Sequence, residues 1–308
     1  MSIGGVRHIV GDTIVCYSGE PVKRRRPDAF LAVMGCFVSD IPTLQKAYPY
    51  VDAFLPPSDV DGFLEAVRYY FGLDGTKVKP PPPAPVAAYV PIIHGCDHFC
   101  TYCIVRLRRG RERSRPIPEV VAEVEELVKR GAREVTLLGQ NVDAYGRDLP
   151  GQPDLADLLE AIHPIEGLWR IRFLTSHPGD MKQRIIEAVA RLPKVCEHIE
   201  IPVQSGDDTI LKRMVRGYTV AQYKDLVRRI RETIPGVSIA TDVIVGFPGE
   251  TEEQFMNTYR LKTARLYWPM YITFCGRQVS LLSVCRPNCY HQASYIIATL
   301  IEVNLSRN

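Results

Sequence analysis

With 308 residues and 46% hydrophobic content, the chain is long enough for one large α/β domain and a smaller one around a well-buried core. A formal net charge of +3 is too mild to imply polyanion binding by itself, so any nucleic-acid contact must rest on local arginine clusters. No apolar run approaches the roughly 20 residues of a membrane-spanning helix and no signal-peptide core is present, which predicts a cytoplasmic protein with no membrane partner. Its nine cysteines then fit metal chemistry better than a disulfide scaffold.

The first 26 residues hold a strand pattern at Asp12–Tyr17 and a basic run, Lys23-Arg24-Arg25-Arg26, of the kind most often found in a solvated turn. Phe30-Leu31-Ala32-Val33-Met34 reads as a buried strand ending at Gly35-Cys36, and helical patterns follow at Pro42–Ala47 and Val60–Phe71. This alternation predicts a small α/β unit over residues 1–78. Lys79-Pro80-Pro81-Pro82-Pro83-Ala84-Pro85 cannot form helix or central strand, because proline fixes φ and lacks a donor, so residues 79–87 are expected to be an extended linker.

A second domain is expected over residues 88–262. Its first strand is Tyr89–Ile93, and Val120, Val121, Val124, Leu127 and Val128 then mark one face of a helix that begins after Pro118 and stops at Gly131. Strand Glu134–Leu138, helix Leu155–Ile162, strand Arg170–Leu174, helix Met181–Leu192, strand His198–Val203, helix Val220–Thr233 and strand Val237–Val245 follow. Five strands separated by helices imply parallel pairing with right-handed crossovers, and ligands then gather at the strands' carboxyl ends. The fold class is α/β, a partial (βα)6 barrel preceded by a small α/β domain.

The loop after the first of these strands, Gly95-Cys96-Asp97-His98-Phe99-Cys100-Thr101-Tyr102-Cys103, carries three cysteines within eight residues. A structural zinc site would need a second ligand pair at matching spacing, and none follows. A cubane iron-sulfur cluster that only carries electrons takes four thiolates, whereas Cys96, Cys100 and Cys103 would leave one iron open to bind substrate or cofactor. On spacing alone, a three-cysteine zinc site or a partial cluster without chemistry stays open.

Polar and glycine residues close each later strand: Gly139-Gln140-Asn141, Ser176-His177-Pro178, Gln204-Ser205-Gly206, then Thr241-Asp242 with Gly246-Phe247-Pro248-Gly249-Glu250. Each alone reads as well as a turn as a ligand contact. Together, in register after successive strands, they point to one ligand-binding face.

CxxxCxxC with Tyr102 before the last cysteine resembles the cluster motif of the radical S-adenosylmethionine enzymes. Arg109-Gly110-Arg111-Glu112-Arg113-Ser114-Arg115, Leu138–Val142 with Tyr145-Gly146, Thr175–Pro178, Pro202–Gly206, Met214–Thr219 and Thr241–Thr251 narrow the resemblance to the tRNA methylthiotransferases of the MiaB type, over roughly Phe30 to Leu261. The resemblance implies a [4Fe-4S] cluster on Cys96, Cys100 and Cys103 whose open iron chelates S-adenosyl-L-methionine. One electron then cleaves the sulfonium to a 5'-deoxyadenosyl radical. It also implies cofactor contacts at Tyr102, Gly139, Gln140, Asn141, Ser176, Gln204, Ser205, Asp242 and Gly246. The substrate would be tRNA carrying N6-isopentenyladenosine beside the anticodon, at position 37. The electron donor would be a flavodoxin or ferredoxin. A second, auxiliary [4Fe-4S] cluster would present the sulfur, with Cys36 matching the last of its three ligands. Arg109, Arg111, Arg113 and Arg115, with Arg106 and Arg108, lie in the loop after the cluster, where they could grip phosphates; a solvated loop paired with Glu112 is the plainer reading.

The sequence departs from the family pattern at both ends. Cys16 is the remaining candidate upstream of Cys36 and lacks the expected context, so the N-terminal domain reads as incomplete. Residues 263–308 have an unfamiliar composition, with Cys275, Cys285 and Cys289 and an apolar stretch at Tyr295–Val303. Met270–Phe274 could still serve as a sixth strand. The tail reads as a frameshift or gene-end artefact in place of an RNA-binding domain. Two alternatives follow: a radical S-adenosylmethionine fragment inactive in methylthiolation, and a ribosomal-protein aspartate methylthiotransferase.

Overall fold

The computed structural model describes residues 23–35, 38, 40–57, 59–72 and 82–261. The Asp12–Tyr17 strand pattern, Cys16, Cys36, residues 79–81 of the proline run, Met270–Phe274 and the tail therefore lie outside the described residues. The chain divides into two compact units, one of residues up to Pro82 together with Ile104–Arg111, the other of Pro83–Cys103 and the chain from Glu112.

In the first unit, β1 (Ala32–Met34) pairs in parallel with β2 (Ala53–Leu55), Ala32 opposite Ala53 and Met34 opposite Leu55. The connection is α1 (Ile41–Ala47), and α2 (Val60–Phe71) follows β2. Asp59 caps α2 by accepting from the Gly62 N–H, and Gly72 ends it in the left-handed conformation. Val33, Val38, Val51 and Phe54 form a small core. The strand expected from Phe30 is shorter, and β2 was not anticipated because three residues between Asp52 and Pro56 carry no period. The arginine segment after the cysteines is not the loop that was expected: Val105–Arg109 is a short helix, α3, and belongs to this unit.

In the second unit, β3 (Ala87–Pro91), β6 (Glu134–Leu138) and β7 (Arg170–Leu174) form one parallel sheet, with Ala87, Glu134 and Arg170 in register at one end and Pro91, Leu138 and Leu174 at the other. A parallel bridge from Ile171 to Val195 leads on to β8 (His198–Glu200), which pairs in parallel with β9 (Ser238–Ala240). Among the described residues the strands do not close into a barrel. The strand expected over His198–Val203 stops early because Pro202 has no N–H to give and the Val203 N–H turns to Thr241 Oγ1 at 3.0 Å. Pairing resumes as a single bridge, Gln204 to Val243.

Helices α4 (Ile117–Lys129), α5 (Leu155–Ile162), α6 (Gln183–Arg191) and α8 (Val220–Thr233) return the chain between strands. Capping boxes start α5 at Asp154 with Asp157 and α8 at Thr219 with Gln222. Two helices carried no sequence expectation, α7 (Asp208–Arg213) and α9 (Glu252–Leu261). The core joins Val90, Val120, Val124, Val135, Leu137, Leu158, Ile171, Phe173, Ile185, Ile199 and Ile230, all essentially inaccessible. Each such side chain contributes roughly 1.5–3 kcal/mol on burial. This packing fixes the strand ends on which the site is built. An unanticipated antiparallel ribbon, β4 (Ile93–His94) with β5 (Arg113–Ser114), closes the base of the cysteine loop.

Candidate functional site

The cysteine loop leaves β4 at Gly95, whose φ of +77° suits a glycine. The Gly95 N–H donates to Gln140 Oε1 at 2.8 Å. Asp97 and Glu112 bond reciprocally, Asp97 N–H to Glu112 Oε1 at 3.1 Å and Glu112 N–H to Asp97 Oδ1 at 3.4 Å. Farther on, Thr101 donates from N–H to the Met214 carbonyl at 3.2 Å and from Oγ1 to the Arg213 carbonyl at 3.0 Å, and the Cys103 N–H meets the Cys100 carbonyl at 3.0 Å. Cys96 and Cys100 are half-buried, Cys103 is exposed, and none is in a disulfide. Burial pushes the Cys96 thiol up to about 11, so a positive partner is needed to hold it as the thiolate that a metal requires.

The strand ends meet this loop. Gly139 leaves room for Ile93, since a Cβ there would lie 2.3 Å from Ile93 Cγ2, and Gln140 holds Gly95 as described. Asn141 and Ser176 are buried, the first donating to Asp180 Oδ2 at 2.6 Å and the second to Asp143 Oδ1 at 3.0 Å. Gln204 has φ +68° and bridges Asp242 and Ile244 through its backbone. Ser205 faces Thr258 of α9, and Gly206 is required there because a Cβ would lie 2.5 Å from Thr258 Cα. Burial pushes the Asp242 carboxyl up. Gly246, with φ +70°, donates to Glu250 Oε2 at 2.6 Å. Tyr102 packs on Ile210, Met214, Ile244 and Phe247, which makes an apolar wall beside the cysteines. The arginines are divided: Arg109 and Arg111 belong to the first unit, Arg113 sits exposed in β5, and Arg115 is committed to the Pro91 carbonyl at 2.8 Å and Glu123 at 2.6 Å. The Arg115 guanidinium thus links the end of β3 to the middle of α4.

Several residues of the site were given no individual contact in the sequence reading. Arg216 is 6% exposed and donates to Cys100 Sγ at 3.4 Å, Tyr218 Oη at 3.0 Å and the Pro202 carbonyl at 3.2 Å. Burial works against its charge, but the surrounding Tyr102, Tyr218 and Cys100 outweigh it and raise its basicity further. His177 accepts the Gly179 N–H on Nδ1 at 3.1 Å, which places its proton on Nε2. Its ring stacks on His98 at 3.8 Å and meets the Tyr218 edge at 5.7 Å. Burial, reinforced by the Arg216 charge, pushes it down to about 3, so it is neutral. Asp143 is fully buried and pushed up to about 7 by burial, against hydrogen bonds from the His177 N–H at 3.0 Å and from Ser176. Asp180 accepts from His98 Nε2 at 2.5 Å and Asn141 on one oxygen and from Arg147 at 2.6 Å on the other. Burial opposes its charge, and these three donors overcome it and hold the carboxyl well below its usual range. The string Met214–Thr219 contained the signal for Arg216, an arginine directly after the apolar pair Met214-Val215. The Asp180 partners are too far apart in sequence for any spacing rule.

A three-thiol loop at the carboxyl ends of parallel strands is matched over residues 90–261 by the family model for the radical SAM superfamily. The chain belongs to the radical SAM superfamily. Among curated relatives, tRNA-2-methylthio-N(6)-dimethylallyladenosine synthases from Dehalococcoides mccartyi (strain CBDB1) and Herpetosiphon aurantiacus are 53% and 50% identical over 241 and 249 residues, each alignment covering 78% of this chain and 56% of the relative. The chain thus spans about half the length of the curated relatives it matches. Among solved structures, the radical S-adenosylmethionine methyltransferase TsrM from Kitasatospora setae, with tryptophan and an aza-SAM analogue bound, superposes with TM-score 0.62 at 17% identity, covering 82% of this chain and 56% of that one. That likeness shows the radical SAM fold.

The donor set fits the cluster of that superfamily: three sulfurs on a loop fixed at four backbone positions, and a buried guanidinium whose described partners are a thiol, a hydroxyl and a carbonyl. Such a cation is matched by the negative charge of cluster thiolates.

Proposed function

We propose that the protein is a tRNA methylthiotransferase that places a methylthio group on C2 of N6-isopentenyladenosine at position 37. The observation that supports this most is the 53% identity, over 78% of the chain, to curated relatives of that name. Cys96, Cys100 and Cys103 would hold the cluster, and Gln140, through Gly95, sets where the loop leaves the sheet. When bound, the [4Fe-4S] cluster supplies the electron that cleaves S-adenosyl-L-methionine.

The chain's own residues do the rest. Arg216 places positive charge beside Cys100 and suits a carboxylate or thiolate neighbour. Asn141, Ser176, Gln204, Ser205, Asp242 and Gly246 line the strand ends as the cofactor-binding face, and Tyr102 with Ile244 and Phe247 offers an apolar wall that keeps water from the reacting carbon. Asp143 fixes Ser176 through two hydrogen bonds to the Ser176-His177 turn. Arg109, Arg111 and Arg113 are assigned to tRNA phosphates. A second cluster would use Cys36, residues 1–78 would form its domain, 79–87 the linker and 88–262 the radical core. A flavodoxin or ferredoxin in the cytoplasm would deliver electrons. No described helix is long and apolar enough to cross a membrane.

Iron and acid-labile sulfide per chain, measured after anaerobic reconstitution, test the reading. About eight irons falling to about four in the combined Cys96→Ala, Cys100→Ala, Cys103→Ala variant is expected for two cubane clusters. About four falling to none would refute methylthiolation by this chain and leave cleavage of S-adenosylmethionine alone.

A further inference from the structure

Two enclosed carboxylates, one fully buried and one nearly so, cross between neighbouring strand ends in opposite directions. Asp143, beyond the end of β6, holds the Ser176 hydroxyl and the His177 N–H beyond the end of β7. Asp180, beyond β7, holds Asn141 beyond β6 and also Arg147. Asp180 has one partner more, His98, which lies between Cys96 and Cys100, and the His98 ring is stacked on His177. The loop's other described side-chain ties lead elsewhere: Thr101 to the Arg213 carbonyl, Asp97 to Glu112, Cys100 to Arg216, and Tyr102 to the apolar wall. Among the described contacts, the His98 pair is the one that joins a loop side chain to the hub that also sets Asn141 and, through His177, the Ser176 turn.

The energetics favour a positioning role. Asp180 is 10% exposed on its side chain and has both oxygens occupied by three donors. A carboxylate this enclosed sits in one place and its donors sit with it. Removing it leaves the Asn141 amide and the His98 ring with no described acceptor, and the loop's register on the strand ends is released.

We propose that Asp180 is a positioning residue that keys the cysteine loop, through His98, to the strand ends that bind S-adenosylmethionine. The proposal rests on the S-adenosylmethionine part of the function given above and not on the tRNA part. The described hydrogen-bond partners of the Asp180 side chain are His98, Asn141 and Arg147 and include no cysteine, so its effect falls on where the cofactor's polar groups meet the loop rather than on whether iron is held.

The test uses the full chain with Asp180→Ala, His98→Ala and the pair combined, and Asp180→Asn as a variant that keeps the shape and one acceptor. Hydrogen–deuterium exchange is first measured without iron. Residues 95–103 are expected to exchange at least tenfold faster in either alanine variant, residues 134–138 to stay unchanged, and the double variant to gain no more than about twofold over either single one, since both remove one contact. After reconstitution, the KM for S-adenosylmethionine in dithionite-driven formation of 5'-deoxyadenosine is expected to rise at least tenfold with kcat within threefold. Asp180→Asn is expected to fall between wild type and alanine in both measurements. Unchanged loop exchange, effects that multiply in the double variant, equal acceleration of residues 134–138, or a loosened loop with unaltered KM would each overturn the proposal. A wild-type chain that forms no 5'-deoxyadenosine refutes the function given above, and the exchange result alone then decides the loop contact.

Discussion

Replacing Asp143 by asparagine is expected to remove most of the pH dependence of stability that this carboxyl imposes. Asp143 is fully buried and its pKa is raised from 3.8 to about 7, burial being the largest cause. A group that holds its proton more tightly folded than unfolded contributes least above its folded pKa. Stability is therefore lost as pH rises from about 4 to about 7, by about 4 kcal/mol at 1.36 kcal/mol per pH unit. Between pH 5 and pH 7 the share is about 2 kcal/mol. Asparagine does not titrate, but it presents one acceptor oxygen where Asp143 receives both the Ser176 hydroxyl and the His177 N–H. One buried donor is left unpaired, at about 1–3 kcal/mol. The variant is thus expected to be less stable than wild type at pH 5 and equal or more stable at pH 8. Urea unfolding of the iron-free chain at pH 5, 6, 7 and 8 measures this, and the difference between the two proteins cancels the other titrating groups. Two parallel pH profiles, separated by a constant within about 1 kcal/mol, would refute the assignment of a raised pKa to Asp143.

Three further outcomes follow from contacts already described. Gly139→Ala should destabilise by about 1–3 kcal/mol through overpacking against Ile93, and most of that loss should vanish in an Ile93→Ala background, read by urea midpoints. Thr219→Ala removes the α8 cap and should cost about 1 kcal/mol; an unchanged midpoint would show that the capping box contributes nothing. For RNA, Arg111→Ala and Arg113→Ala should each reduce the slope of log K against log salt for an anticodon-arm RNA by about one, while Arg115→Ala, already tied to Pro91 and Glu123, should leave the slope alone. An equal effect of all three would contradict the division of the arginines.

The regular elements were legible where short-range chemistry decides them. Glu134–Leu138 and Arg170–Leu174 appear with the bounds their apolar runs suggest, and Leu155–Ile162 and Val220–Thr233 start where Asp154 and Thr219 can cap them. Pro202 should have warned against a strand through Val203, and its missing N–H is the physical reason for the break. The cysteine loop was plain from its spacing, but what fixes it was not. His98, Asn141, Arg147 and Asp180 span 82 residues and meet only because parallel strands bring their carboxyl ends together. The partners of Arg115 were hidden for a related cause: a run of arginines looks uniform in sequence, whereas its neighbours in space differ from one residue to the next.

The β4–β5 ribbon makes the loop a closed ring before any metal arrives. Residues 95–112, eighteen in number, are held between His94 and Arg113, which face each other across two antiparallel strands. Gathering the ends of a free segment of that length would cost about 2.5 kcal/mol in chain entropy beyond a constant, and the ribbon has already met that cost when the sheet forms. Iron therefore meets a search confined to one tethered ring. Its binding free energy goes into stabilising the folded chain by mass action, and stripping the metal should loosen the ring while the parallel sheet beneath it stays intact.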